Sequence, residues 1–91
     1  MSRFPIVTFR EMNKVLLSLG FQPVRQRGSH VFDRHGDGRT TTVPNHPGRD
    51  LVRPLVREIL REIELTPEQF QEALRQAEGL TRPSLALVEV L

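Results

Sequence analysis

Phe9, Met12, Leu16 and Leu19 recur at the three- and four-residue spacing of one helical face, and Val15 widens the stripe. Thr8-Phe9-Arg10-Glu11 precedes it and fits a capping box, in which the threonine hydroxyl takes the Glu11 amide and the Glu11 carboxylate reaches back. Val7 and Met12 stand where a hydrophobic staple places its two members, and Gly20 supplies the left-handed position that ends a helix. The pattern predicts a helix over about 8–19. From Phe21 the period changes. Phe21–Arg27, Ser29–Arg34 and Thr40–Val43 are short runs rich in β-forming residues. Gly28 divides the first two, and the His35-Gly36-Asp37-Gly38-Arg39 loop divides the last two, predicting a three-stranded antiparallel meander. Val31 and Phe32 are adjacent, so both can face the core only across a bulge, and the register of the second strand stays open.

Pro44 to Arg49 is a loop by its proline, asparagine and glycine content. Leu51, Leu55, Ile59 and Ile63, flanked by Val52 and Val56, then form a second helical stripe. Pro54 belongs in the first turn of that helix, so its regular part begins at 53 or 54. Thr66-Pro67-Glu68-Gln69 repeats the capping-box pattern ahead of a third helix, about 67–78, carrying Phe70, Ala73, Leu74 and Ala77 before Gly79. The apolar tail from Thr81 to Leu91 reads as an edge strand or as a segment ordered only on a neighbour. Helix, three strands, helix and a C-terminal helix make an α+β, two-layer domain: helices on one face of a three-stranded antiparallel sheet, the other face open to solvent.

The length, 91 residues, allows one domain over 1–91 and one modest core. With 26% charged and 37% hydrophobic residues, and no apolar run near the roughly 18–20 residues of a membrane span, the chain reads as a soluble protein without a membrane partner. Met1 to Val7 lacks the apolar stretch and small-residue cleavage site of a secretory signal, and there is no cysteine, so the expected compartment is the cytoplasm. Net charge is only +2, yet residues 1–63 carry +5 and residues 64–91 carry −3. Twelve of the 13 basic residues are arginine, whose planar fork matches phosphate bidentately. That points to a phosphate polymer, although a GC-rich genome or a thermophilic source also favours arginine.

Arg25-Gln26-Arg27-Gly28-Ser29-His30 places a histidine after a glycine turn, among arginines, at the start of a strand. RNA carries its own nucleophile in the 2′-hydroxyl. Its cleavage needs a group titrating near neutrality, which imidazole is, and cations to stabilise the charged phosphorane. An exposed histidine beside a turn is also ordinary surface, and the residues alone leave both readings open. A metal site from His30, His35 and His46 with Asp33 or Asp37 is the rival chemistry, but the spacings match no helix-borne pair and no cysteine supports it. His46, in the loop after the third strand, is a second candidate, or else a residue lining that turn. Glu58, Glu62, Glu68 and Glu72 read as solvated helix faces, with Glu58 able to pair with Arg57 or Arg61. Five Phe, no Trp and no Tyr disfavour a base-stacking platform.

Gly20-Phe21, Arg25-Gln26-Arg27-Gly28-Ser29-His30, Val43-Pro44-Asn45-His46 and the helix containing Ile59 resemble the HicA toxin family. The likeness runs over about 8–70, leaving 79–91 as a C-terminal extension. Pro54 stands near the start of the second helix, where family members often carry glycine. The resemblance implies a double-stranded-RNA-binding-like α-β-β-β-α fold and a metal-independent, ribosome-independent mRNA interferase that uses no cofactor. It also implies neutralisation by a HicB-type antitoxin. The family's catalytic histidine carries over onto His30 alone; the charge and position of Arg25, Arg27 and Arg34, and the place of Ser29 in the turn that aims His30, make these four the expected RNA-binding residues. A non-catalytic RNA-binding module with the same fold and basic surface is the alternative.

Overall fold

A computed structural model describes residues 6–77. The chain runs β1 (Val7–Thr8), α1 (Phe9–Ser18), β2 (Phe21–Arg27), β3 (His30–His35), β4 (Thr40–Pro44), β5 (Asp50–Leu51) and α2 (Arg53–Ile63). A third helix, α3, occupies 67–77. The expected α+β order is therefore present, with a three-stranded antiparallel sheet in the order β2-β3-β4.

The capping signals act as their chemistry requires. The Glu11 amide donates to the Thr8 hydroxyl oxygen at 3.2 Å, and the Thr8 amide donates to the Glu11 carboxylate at 2.9 Å. Two of the donors that every helix start leaves orphaned are thereby satisfied. The same reciprocal pair joins Thr66 and Gln69 at the head of α3. Met12, Val15 and Leu16 of α1 are buried. Val56, Ile59, Leu60 and Ile63 of α2 join them with Phe21 and Val43 from the sheet and Phe70, Ala73 and Ala77 from α3, in one core.

The sheet owes its two-faced character to a bulge. β3 pairs Val31 with Gln26 and Phe32 with Arg25, but Asp33 with Pro23, so Val24 is an extra residue on β2. An inserted residue reverses side-chain parity along a strand. Phe21 can therefore face the core while Arg25 and Arg27, in the same strand, face solvent. On β3 and β4, Val31, Asp33, Thr41 and Val43 are buried, and His30, Phe32 and Thr42 alternate with them. The open question at Val31 and Phe32 is thus answered: Val31 is inside, Phe32 is half-buried on the outer face, and the bulge lies in β2 rather than β3.

Two expectations need correction. Leu51 and Val52 were read as part of the second helical stripe. Instead Leu51 is in β5, paired with Val7 of β1, and Val52 is 64% exposed. Pro54 has no amide hydrogen to donate, so it fits only the first turn, and the helix cannot extend back over Leu51. The β1–β5 ribbon buries Val7 and Leu51 and ties the chain before α1 to the chain before α2. His35, read as a loop residue, ends β3. The tail from 79 to 91, and the Gly79 end expected for α3, lie outside the described residues. Among the described residues no helix is long and apolar enough to cross a membrane.

Candidate functional site

His30 opens β3, in register with Arg27 on one side and Pro44 on the other. Two residues on, Phe32 is in register with Arg25 and Thr42. Alternation brings these side chains to the outer face, where Arg25, Arg27, His30, Phe32 and Thr42 line a cavity of about 160 Å³. The Arg25 guanidinium carbon stands 5.5 Å from the centre of the Phe32 ring, a cation–π contact that covers part of an otherwise wet aromatic. Arg25, Arg27 and His30 are exposed, and no carboxylate lines the cavity.

The turn that presents His30 is fixed from both sides. Gly28 has φ +58°, a left-handed conformation that a side chain resists, and it permits the two-residue connection between β2 and β3. The Gln26 side-chain amide donates to the Gly28 carbonyl at 3.1 Å. The Asn45 backbone amide donates to the Ser29 carbonyl at 2.6 Å, joining this turn to the loop that leaves β4. A histidine so mounted, beside two guanidinium groups on an open surface, can sit against a bound phosphodiester and exchange a proton with an adjacent hydroxyl.

The other expected residues separate. Ser29 is half-buried at the turn, and its backbone carbonyl anchors the Asn45 loop. Arg34 lies on the outer face but four residues along β3, about 13 Å from His30 at the usual strand rise, and it does not line the cavity. His46 is exposed in the loop after β4 and lines a different cavity, with Arg10 and Arg49. His35 is structural. Its Nδ1 accepts the Asp37 amide at 3.0 Å, which leaves Nε2 as the donor to the Leu19 carbonyl at 3.1 Å, beyond the last turn of α1. Its ring also meets Phe21 edge-on at 5.0 Å between centroids. Neither ring nitrogen is left for a ligand, and among the described residues no cluster of three or more His, Asp or Glu could hold a metal ion.

Two carboxylates show opposite environments. Asp37 is held below its ordinary value, first by the Arg39 backbone amide and further by the Arg39 guanidinium. Asp33 is 1% exposed on the inner face, and neither of its oxygens has a hydrogen-bond partner among the described residues; burial pushes its carboxyl up. Phe32 and Thr42 escaped the sequence reading as site residues. The signal was the period-two alternation from His30 to Phe32, which becomes readable once the bulge is assigned to β2.

No individually curated protein matches the chain. Residues 9–65, well over half of it, match the family model described as HicA toxin of bacterial toxin–antitoxin. That span contains both the Gly28-Ser29-His30 turn and the Val43-Pro44-Asn45-His46 loop. With an α+β fold whose open sheet face carries the histidine–arginine cavity, the chain belongs to the HicA toxin family of bacterial toxin–antitoxin systems.

Proposed function

We propose that this toxin is an mRNA endoribonuclease whose general acid–base group is His30. The observation that carries the reading is the shared cavity of His30, Arg25, Arg27 and Phe32 on the open sheet face. Arg25 and Arg27 hold the scissile phosphodiester and offset charge as the phosphorane forms. His30 takes the proton of the 2′-hydroxyl as that oxygen attacks phosphorus. The bond to the 5′-oxygen breaks, and solvent at this open surface protonates the leaving oxygen. The products are a 2′,3′-cyclic phosphate and a 5′-hydroxyl. Phe32 offers one ring edge to a neighbouring base, enough to seat a nucleotide without a stacking platform.

A HicB-type antitoxin silences such a toxin most simply by covering His30 and pairing an acidic patch with Arg25 and Arg27. The protein then works in the cytoplasm, where its mRNA substrate and its antitoxin are.

The test is cleavage of a purified RNA in EDTA, with the ends of the products identified. Persistent cleavage leaving 2′,3′-cyclic phosphates, and resistance of a strand with deoxyribose at the scissile position, are expected. Activity lost to chelator and restored by a divalent cation would overturn the mechanism. RNA binding without any cleavage would reduce the protein to a binding module.

A further inference from the structure

The second basic cavity is not used by this chemistry. It has a volume of about 340 Å³ and lies where the loop after β4 meets the start of α1, with Arg10, Asn45, His46 and Arg49 among its lining residues. Arg10 and Arg49 are both exposed, and neither guanidinium has an ion-pair partner among the described residues. No carboxylate lines the cavity. Two unpaired cations in a concave site on an otherwise nearly neutral chain concentrate positive potential and attract anions.

Its position relative to His30 is constrained by the backbone. Pro44 is the cross-strand neighbour of His30, and His46 follows two residues later. Two residues span at most about 7 Å, and antiparallel neighbours are about 5 Å apart, so the two histidine backbones lie within roughly 12 Å. The hydrogen bond from the Asn45 amide to the Ser29 carbonyl, 2.6 Å, locks the loop of one cavity to the turn of the other. A stacked strand places successive phosphates about 3.4 Å apart along its axis, so a few nucleotides bridge the gap.

We propose that the cavity containing Arg10, His46 and Arg49 is a second phosphate subsite, which grips the RNA strand a few nucleotides away from the bond that His30 attacks. The inference rests on the nuclease reading and deepens it: the substrate is a single strand bound across both cavities, not a lone dinucleotide. Arginine supplies the charge and its forked donors, and His46 and Asn45 supply further hydrogen bonds to the same backbone.

The test measures binding of 2′-O-methyl single strands, which cannot be cleaved through the 2′-hydroxyl, by fluorescence anisotropy across a salt series. A strand of about 14 nucleotides reaches both cavities, within the range of site sizes known for single-strand binders, whereas a dinucleotide, with its single internucleotide phosphate, is too short to bridge them and fills only the first. For Arg10→Ala/Arg49→Ala, the slope of log K against log salt for the long strand is expected to become shallower by about 1.4, at ~0.7 per lost phosphate contact. The slope for the short strand stays unchanged. The control, Arg61→Ala/Arg75→Ala, removes the same charge from α2 and α3 and leaves both slopes as in the wild type. Arg10 and Arg49 are exposed, so the double variant folds, and its melting temperature verifies this. An unaltered long-strand slope, or an equal change in the control, would overturn the subsite while leaving the nuclease intact. A wild type that binds neither strand would overturn both.

Discussion

Asp33→Asn changes a single buried charge and keeps the shape of the side chain. In the native protein the Asp33 carboxyl is 1% exposed, with neither oxygen hydrogen-bonded among the described residues. Its neighbour in register on β4, Thr41, gives its hydroxyl hydrogen to Glu62 at 2.7 Å instead. Burial raises the Asp33 pKa, so the folded chain holds this proton more tightly than the unfolded chain does. The sign follows: the protonated form supports the fold fully below the unfolded value of about 3.9, and stability declines as pH rises through the raised value. The penalty for leaving such a group buried and unsatisfied is about 1–3 kcal/mol, with a charge at the upper end. Asparagine removes the charge and its titration. For a domain of this size 1 kcal/mol moves Tm by about 4–8 °C, so the variant should melt several degrees above the wild type at pH 8 and close to it at pH 4. Thermal melts followed by circular dichroism across that range are the assay. A difference in Tm that does not grow with pH, or an asparagine variant less stable at pH 8, would refute the reasoning.

Gly20→Ala should destabilise the domain by more than the ~1 kcal/mol typical of glycine replacements. The backbone there has φ +98°, and an added Cβ would stand 3.0 Å from His35 Nε2, displacing the ring from the Leu19 carbonyl. A drop in Tm of at least a few degrees, with a shifted His35 ring resonance, checks it; an unchanged Tm contradicts it. Arg25→Glu/Arg27→Glu should abolish capture of the HicB-type antitoxin in a pull-down, because the acidic patch that covers His30 would meet like charge. Retention of the antitoxin by this double variant would show that it binds elsewhere.

Much of the architecture was legible because its signals are local. The two capping boxes, at Thr8 and Thr66, act within four residues, and both form as read. The glycine turn at Gly28 and the helical stripes of α1 and α3 are equally short-range. What escaped detection depends on partners distant in sequence. The β1–β5 ribbon pairs Val7 with Leu51 across more than forty residues, and two-residue strands carry no periodicity. The bulge at Val24 is invisible in a run of β-formers, yet it decides that Phe21 faces the core while Arg25 and Arg27, in the same strand, face solvent with His30. His35 looked like a loop histidine, but the carbonyl that its ring satisfies belongs to Leu19. At the site, the sequence indicated His30, Arg25 and Arg27, which the fold brings to one cavity. Arg34 and His46 fall outside that cavity, because strand distance and loop direction are set by the fold.

The most direct test of the central claim is the single-turnover cleavage rate of His30→Ala against the wild type. RNA affinity and Tm are measured on the same preparations. His30 is exposed at a turn held by backbone bonds, so its truncation leaves fold and phosphate contacts in place. Loss of a general acid–base group lowers rates by about 10²–10⁴-fold. A fall of that size, with Tm unchanged and affinity within a few-fold, is the predicted result. Cleavage by His30→Ala at a rate comparable to the wild type would contradict the account.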